Sequence, residues 1–177
     1  SSRMALEWAC KNVVSKWFDT DGHAVDKDSS VCYPSKMYSA GINGMLALAE
    51  LCPNRADEYI HLARCCADRL IGISEPEGAP LAGFTPTYFK IEGLRMWCST
   101  EYFGMNMLVY PACCGESFVA LYQRVGDEKY LRAARLFAET YERIRLPNGT
   151  WHLKVWTKDG TPVKPNYLVP MEVISFM

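Results

Sequence analysis

Several features that would name a functional class at once are missing from this sequence. There is no long basic run, and a formal net charge of −1 over 177 residues offers nucleic acid no electrostatic surface. No apolar run approaches the roughly 20 residues that cross a bilayer, so no membrane partner is indicated. The N-terminal "SSRMALEWACKN" carries no signal-peptide pattern. The cysteines show neither CxxC nor Cys/His zinc spacing, and the acidic cluster Asp21, Asp26, Asp28 lacks the spacing of an EF-hand loop. The sequence therefore calls for no metal and no cofactor.

What is present is a globular composition, 49% hydrophobic and 22% charged, enough for one domain with a real core. Eight cysteines include two adjacent pairs, Cys65-Cys66 and Cys113-Cys114, all in apolar helical contexts. They read as small core hydrophobes, since free cysteine is among the most buried residue types. Reduced buried thiols point to a cytoplasmic location.

Hydrophobic periodicity predicts helices over "SRMALEWACKNVVSKWFD", from Pro34 or Ser35 through "MYSAGINGMLALAELC", over "NRADEYIHLARCCADRLIGI", "PACCGESFVALYQRV" and "DEKYLRAARLFAETYERIRL". "YLVPMEVISFM" begins a sixth apolar run. A long irregular stretch, rich in Pro and Gly, runs from Ser74 to about Val109.

Two helices align at an offset of 71. Tyr59 matches Tyr130, Ala63 matches Ala134, Arg64 matches Arg135 and Ala67 matches Ala138. Upstream of each lies "CYP" at 32–34 and "VYP" at 109–111. The unit is an amphipathic helix, a DG or NG turn, a variable loop, and a helix apolar nearly all round. A one-striped helix faces solvent; a helix apolar on several sides is packed on both. Alternation of the two gives an α/α hairpin array. The connections are long on one face and short on the other, which assigns function to the long-loop face.

The stretch "PNGTWHLKVWTKDGT" interrupts this helical pattern. It reads as two short extended segments bounded by turns at Asn148-Gly149 and Asp159-Gly160, a small β-hairpin on the functional face. Aromatic residues with carboxylates, His and Arg gather in the three long loops, a combination that suits a sugar: rings stack on its apolar face and charged groups meet its hydroxyls. The competing reading is that the aromatics pin their own loops to the helices. Glu116 and Glu172 sit just inside apolar helices, where an acid serves either chemistry or the helix dipole.

"RVGDEKYLRAARLFAETYERIRLPNGTWHLKVW" and "PNYLVPMEVISFM" resemble the outer helix, "DG-x-W" turn and "NYLE-x-S" inner-helix start of the six-hairpin (α/α)6-barrel carbohydrate enzymes. The inner-helix start is similar to that of the unsaturated glucuronyl and rhamnogalacturonyl hydrolases. N-acylglucosamine epimerase-like isomerases and barrel-type polysaccharide lyases share the helical pattern. Where the hydrolases have the Glu of "NYLE" this chain has Val169, followed by Pro170.

The resemblance implies an all-α fold: an α/α hairpin toroid, about half of an (α/α)6 barrel, as a single domain over residues 1–177. Three hairpins do not close a six-hairpin ring and would expose apolar flanks. The remaining half is therefore expected from the same longer chain or from another chain. The implied function is a glycoside hydrolase acting on an oligosaccharide, possibly one containing uronic acid, with Glu116 and Glu101 as acid/base pair. Substrate-binding candidates are Trp97, Tyr102, His23, Trp151, His152, Trp156 and Arg95; Arg95, Lys154 and Lys158 suit a uronate carboxylate. A lyase would use Tyr102, Tyr110 or His23 as base. An epimerase would use paired histidines, and only three His are present. A non-catalytic helical-repeat scaffold binding peptides is the alternative from another class.

Overall fold

A computed structural model of the protein describes Met4 and residues 31–32, 34–85, 89–90, 104–164 and 168–169. The fold is all-α with short antiparallel strand pairs. Its four longer helices are α1 (Pro34–Leu51), α2 (Ala56–Gly72), α3 (Val109–Val125) and α4 (Glu128–Arg143). They form two helical hairpins, α1–α2 and α3–α4, and α1 also packs on α3. The predicted helix over residues 3–18 lies outside the described residues, apart from Met4, which is helical.

Helix limits follow local chemistry. Pro53 opens a 3-10 turn, Pro53–Arg55, so α2 starts at Ala56 rather than at Asn54. Helix α3 begins two residues before Pro111, whose missing N–H falls among the first-turn donors that have no intrahelical partner anyway. Asp127 caps α4 by accepting from the Lys129 N–H at 3.2 Å.

The repeat is visible in the packing. Tyr59 and Tyr130, Ala63 and Ala134, Cys66 and Phe137, Leu70 and Tyr141 are all buried at matching positions of α2 and α4. The outer helices α2 and α4 are joined by polar contacts: Lys129 bridges to Asp68 at 2.8 Å, Arg64 to Asp127 at 3.2 Å, and the Tyr130 hydroxyl donates to Asp68 at 3.1 Å.

Strand pairing departs from expectation. The two extended segments of "PNGTWHLKVWTKDGT" are β4 (Trp151–His152) and β5 (Lys154–Trp156), and they do not pair with each other. β5 pairs with β3 (Met105–Met107), and β4 pairs with β6 (Leu168–Val169). The hairpin is instead made by β5 and residues 161–163 around the Asp159-Gly160 turn, with Trp156 N–H donating to Thr161 O at 2.8 Å and Val163 N–H to Lys154 O at 3.0 Å. β1 (Val31–Cys32) pairs with β2 (Phe89–Lys90) in the same way. In two cases the chain just before an all-round apolar helix, α1 or α3, pairs with the long loop that follows the next outer helix.

The core is organised by a run of aromatic rings. Phe118 of α3 meets Phe137 of α4 at 5.9 Å, Phe137 stacks on Phe84 at 5.4 Å, Phe84 meets Tyr141 at 4.7 Å, and Tyr141 meets Trp151 edge-on at 6.2 Å. Phe137→Ala removes the middle ring and is expected to lower unfolding free energy by about 3–5 kcal/mol. Loss of the exposed Arg55–Glu58 pair by Arg55→Ala should cost less than about 1 kcal/mol. Urea denaturation of both variants measures the contrast.

Candidate functional site

The face bearing the long connections is built from two copies of one turn. Asn148 Oδ1 accepts from Thr150 N–H at 3.1 Å and from the Thr150 hydroxyl at 2.7 Å. Asp159 Oδ1 does the same with Thr161 at 2.9 and 2.6 Å. The residue between, Gly149 or Gly160, has φ of 79° or 71°, a region open to glycine at no steric cost. The hydroxyl of Thr161, then its N–H, holds the Asp159 carboxyl below the usual carboxylate range.

These turns aim β4 and β5 across the start of α3. Met105 lies opposite Trp156, Asn106 opposite Val155, and Leu108 N–H donates to Leu153 O at 2.8 Å. The ladder therefore brings the segment carrying His152 and Trp156 to the start of α3; Glu116 is the eighth of that helix's 17 residues, near its middle.

The expected site residues separate into distinct environments. Trp151 is 3% exposed, and its Nε1–H donates to Tyr141 O at 2.8 Å. The ring packs on Tyr141 and anchors the loop to α4, the role that the competing reading of the aromatics describes. Trp156 is half-buried on β5, and Lys154 likewise; Lys158 is exposed. His152 is half-buried on β4, and its Nδ1 is buried with no hydrogen-bond partner among the described residues. Glu116 is exposed on α3. Glu101, Trp97, Tyr102, Arg95, His23 and Glu172 lie outside the described residues.

The adjacent cysteines are not all core hydrophobes. Cys52, Cys66 and Cys114 are buried, whereas Cys65 and Cys113 are half-buried. Burial pushes the Cys66 thiol up to about 12. Cys114 is raised well above its ordinary value, again chiefly by burial, and its sulfur lies 3.3 Å from Ser35 O. Cys113 moves the other way, to about 7: the hydrogen bond from Cys114 outweighs burial, and Ser39 adds a second. The negative charge of Glu116, one turn along on the same face of α3, works against this. An i, i+3 pairing of Cys113 with a carboxylate on an apolar helix is the sequence signal that could have singled it out.

Around this seam the polar groups are buried and bonded. Ser35 pairs with the hydroxyl of Thr85, and Ser117 donates to Cys113 O at 3.0 Å. Among the described residues, no group of three or more His, Cys, Asp or Glu is placed to hold a metal ion. No helix among them is long and apolar enough to cross a membrane.

No known protein family matches the chain, and neither does any curated protein. Its fold does have a counterpart among solved structures. A sugar epimerase from a ruminal bacterium superposes with a TM-score of 0.67 over 96% of this chain, at 15% sequence identity. The chain spans 43% of that protein's length. At this identity the likeness establishes the fold. It fits the carbohydrate-enzyme toroid expected from the motifs, and it falls on an epimerase rather than on the hydrolases that those motifs resemble.

Two measurements test the site's construction. Trp151→Phe leaves the Tyr141 carbonyl without its donor and should destabilise the protein by about 1–3 kcal/mol in chemical denaturation. Alkylation reads Cys113, since the thiolate is the reactive form. Its iodoacetamide rate, followed by peptide mass spectrometry, should climb through about pH 7 rather than near pH 9, where an ordinary thiol titrates.

Proposed function

We propose that this chain belongs to a carbohydrate-active enzyme built on an α/α toroid, and that the reaction is epimerisation of a sugar. The observation that supports this most is the fold likeness to a sugar epimerase along 96% of the chain. In this reading the remaining hairpins of the ring come from the same longer chain or from a second chain.

Epimerisation next to a carbonyl needs a group that removes a proton from carbon and a group that returns one to the opposite face. No bond to carbon other than C–H is broken, so no external reactant is consumed. His152 suits the first role. Its Nδ1 is buried with no partner among the described residues, so Nε2 is the ring nitrogen that would meet the substrate. Which ring nitrogen carries the proton is set by what the other one meets. The second group is a task for Glu116 or for Tyr102 or His23 of the other loops. Trp156 and Lys154 follow His152 in the same loop and suit the ring face and the hydroxyls or carboxylate of the sugar.

The hydrolase reading is kept by one feature, the exposed carboxylate of Glu116 on the largely apolar helix α3. There Glu116, with Glu101, would protonate the glycosidic oxygen and activate water. The two readings divide cleanly in one experiment. Reducing mono- and disaccharides are incubated with the enzyme in D₂O and followed by NMR. Epimerisation gives a second sugar carrying deuterium on the inverted carbon, and His152→Asn should slow it by about 100-fold or more. Hydrolysis instead releases new reducing ends, fails in Glu116→Gln and leaves carbon-bound hydrogen in place. Neither product on any sugar tested would count against both.

A further inference from the structure

A second concavity lies away from the loop platform. It runs between α2, the loop of residues 74–85 and α4, and encloses about 600 Å³, within the range of small-molecule sites. Phe118 reaches it from α3, but Glu116, Cys113 and His152 do not line it. Its floor is apolar, formed by Ile71, Ala133 and Leu136 over the buried rings of Phe118 and Phe137.

Its walls carry opposite charge. Glu75 and Glu77 stand on the loop, and Arg132 and Arg135 on α4. At one end Asp68 and Lys129 also line the groove, but these two pair with each other at 2.8 Å. None of the other four makes an ion pair among the described residues. Glu139, one turn along α4 from Arg135, lines the groove as well and pairs with neither arginine.

The loop is fixed from both directions. Glu75 N–H donates to Phe84 O at 2.9 Å and Gly83 N–H to Glu75 O at 2.8 Å, closing it on itself. Thr140 donates to Ala82 O at 2.9 Å and Arg143 to Pro80 O at 3.0 Å, tying it to α4. Phe84, fully buried between Phe137 and Tyr141, prevents it from lifting or sliding. The backbone of the loop is thus fixed against α4, and the exposed side chains of Glu77, Arg132 and Arg135 are the parts that order when a ligand binds.

We propose that this groove is a second ligand site, one that takes a small zwitterion with an apolar body: a free α-amino acid with an aliphatic or aromatic side chain. Its carboxylate meets Arg132 and Arg135, its ammonium meets Glu75 and Glu77, and its side chain covers the apolar floor. A ligand with one charge leaves one wall unsatisfied, and a neutral ligand leaves both. The site is independent of the sugar reading, and its test needs no enzymatic activity.

The probes are L-leucine and L-phenylalanine, each beside its N-acetyl and its C-terminal amide derivative, measured by saturation-transfer NMR and calorimetry on the purified protein. Saturable binding of at least one free amino acid at about millimolar concentration or tighter is expected. Either cap should weaken it about 10-fold or more, because a charge-assisted bond is lost. Arg132→Ala/Arg135→Ala and Glu75→Gln/Glu77→Gln should each do the same while leaving the ligand-free melting midpoint in place. The proposal is overturned by no saturable binding of either amino acid, by capped derivatives that bind as well as free ones, or by binding that survives both double variants.

Discussion

The burial of Tyr141 between three elements is the constraint on which the rest of this structure depends. Its ring contacts Phe84 of one long loop and Trp151 of the next. Its hydroxyl donates to Leu108 O at the start of α3, and its own carbonyl accepts from the Trp151 indole. One side chain at the end of α4 thus ties down both long connections and the start of the neighbouring helix. Aromatic contacts add only about 0.5–1.5 kcal/mol each beyond their buried area. Here they occur in series, so the loss of one ring loosens the neighbours that depend on it.

That arrangement explains how a helical scaffold carries long loops without leaving them adrift. Each loop is pinned by a ring at its base and by a short strand further out. β3 with β5, and β1 with β2, join a loop to the start of the helix before it, and β4 joins β6. A loop held at two points presents its side chains at fixed positions over the helix ends, which a site for a small polar ligand requires. The segment carrying His152 and Trp156 owes its place beside the start of α3 to this stitching.

Much of the scaffold was legible in the chain itself. The offset between Tyr59 and Tyr130 and between Ala63 and Ala134 marks equivalent buried positions because a helix packed on one side must repeat its small and aromatic residues at the same phase. The turns at Asn148-Gly149 and Asp159-Gly160 were legible because their geometry is local and demands those residue types. Strand partners were not. Two- and three-residue strands have no periodicity to read, and their pairing is decided by which loop the helices bring within reach. The site was legible only in part: a Trp that packs and a Trp that stays partly accessible look alike in sequence, and burial alone separates Trp151 from Trp156.

The sequence by itself determined the helices, their alternation between one-sided and all-round apolar faces, the turns, and hence an all-α hairpin array with its long connections on one face. These are short-range properties, governed by helical phase and by backbone conformations that few residues tolerate. Only the tertiary structure decided that Trp151 anchors while His152 keeps a buried nitrogen with no partner among the described residues, and that Cys113 is a thiolate-prone thiol beside the inert Cys114. It also decided that Glu75, Glu77, Arg132 and Arg135 line one groove. Those outcomes depend on burial and on distances between residues far apart in the chain, which no local pattern encodes.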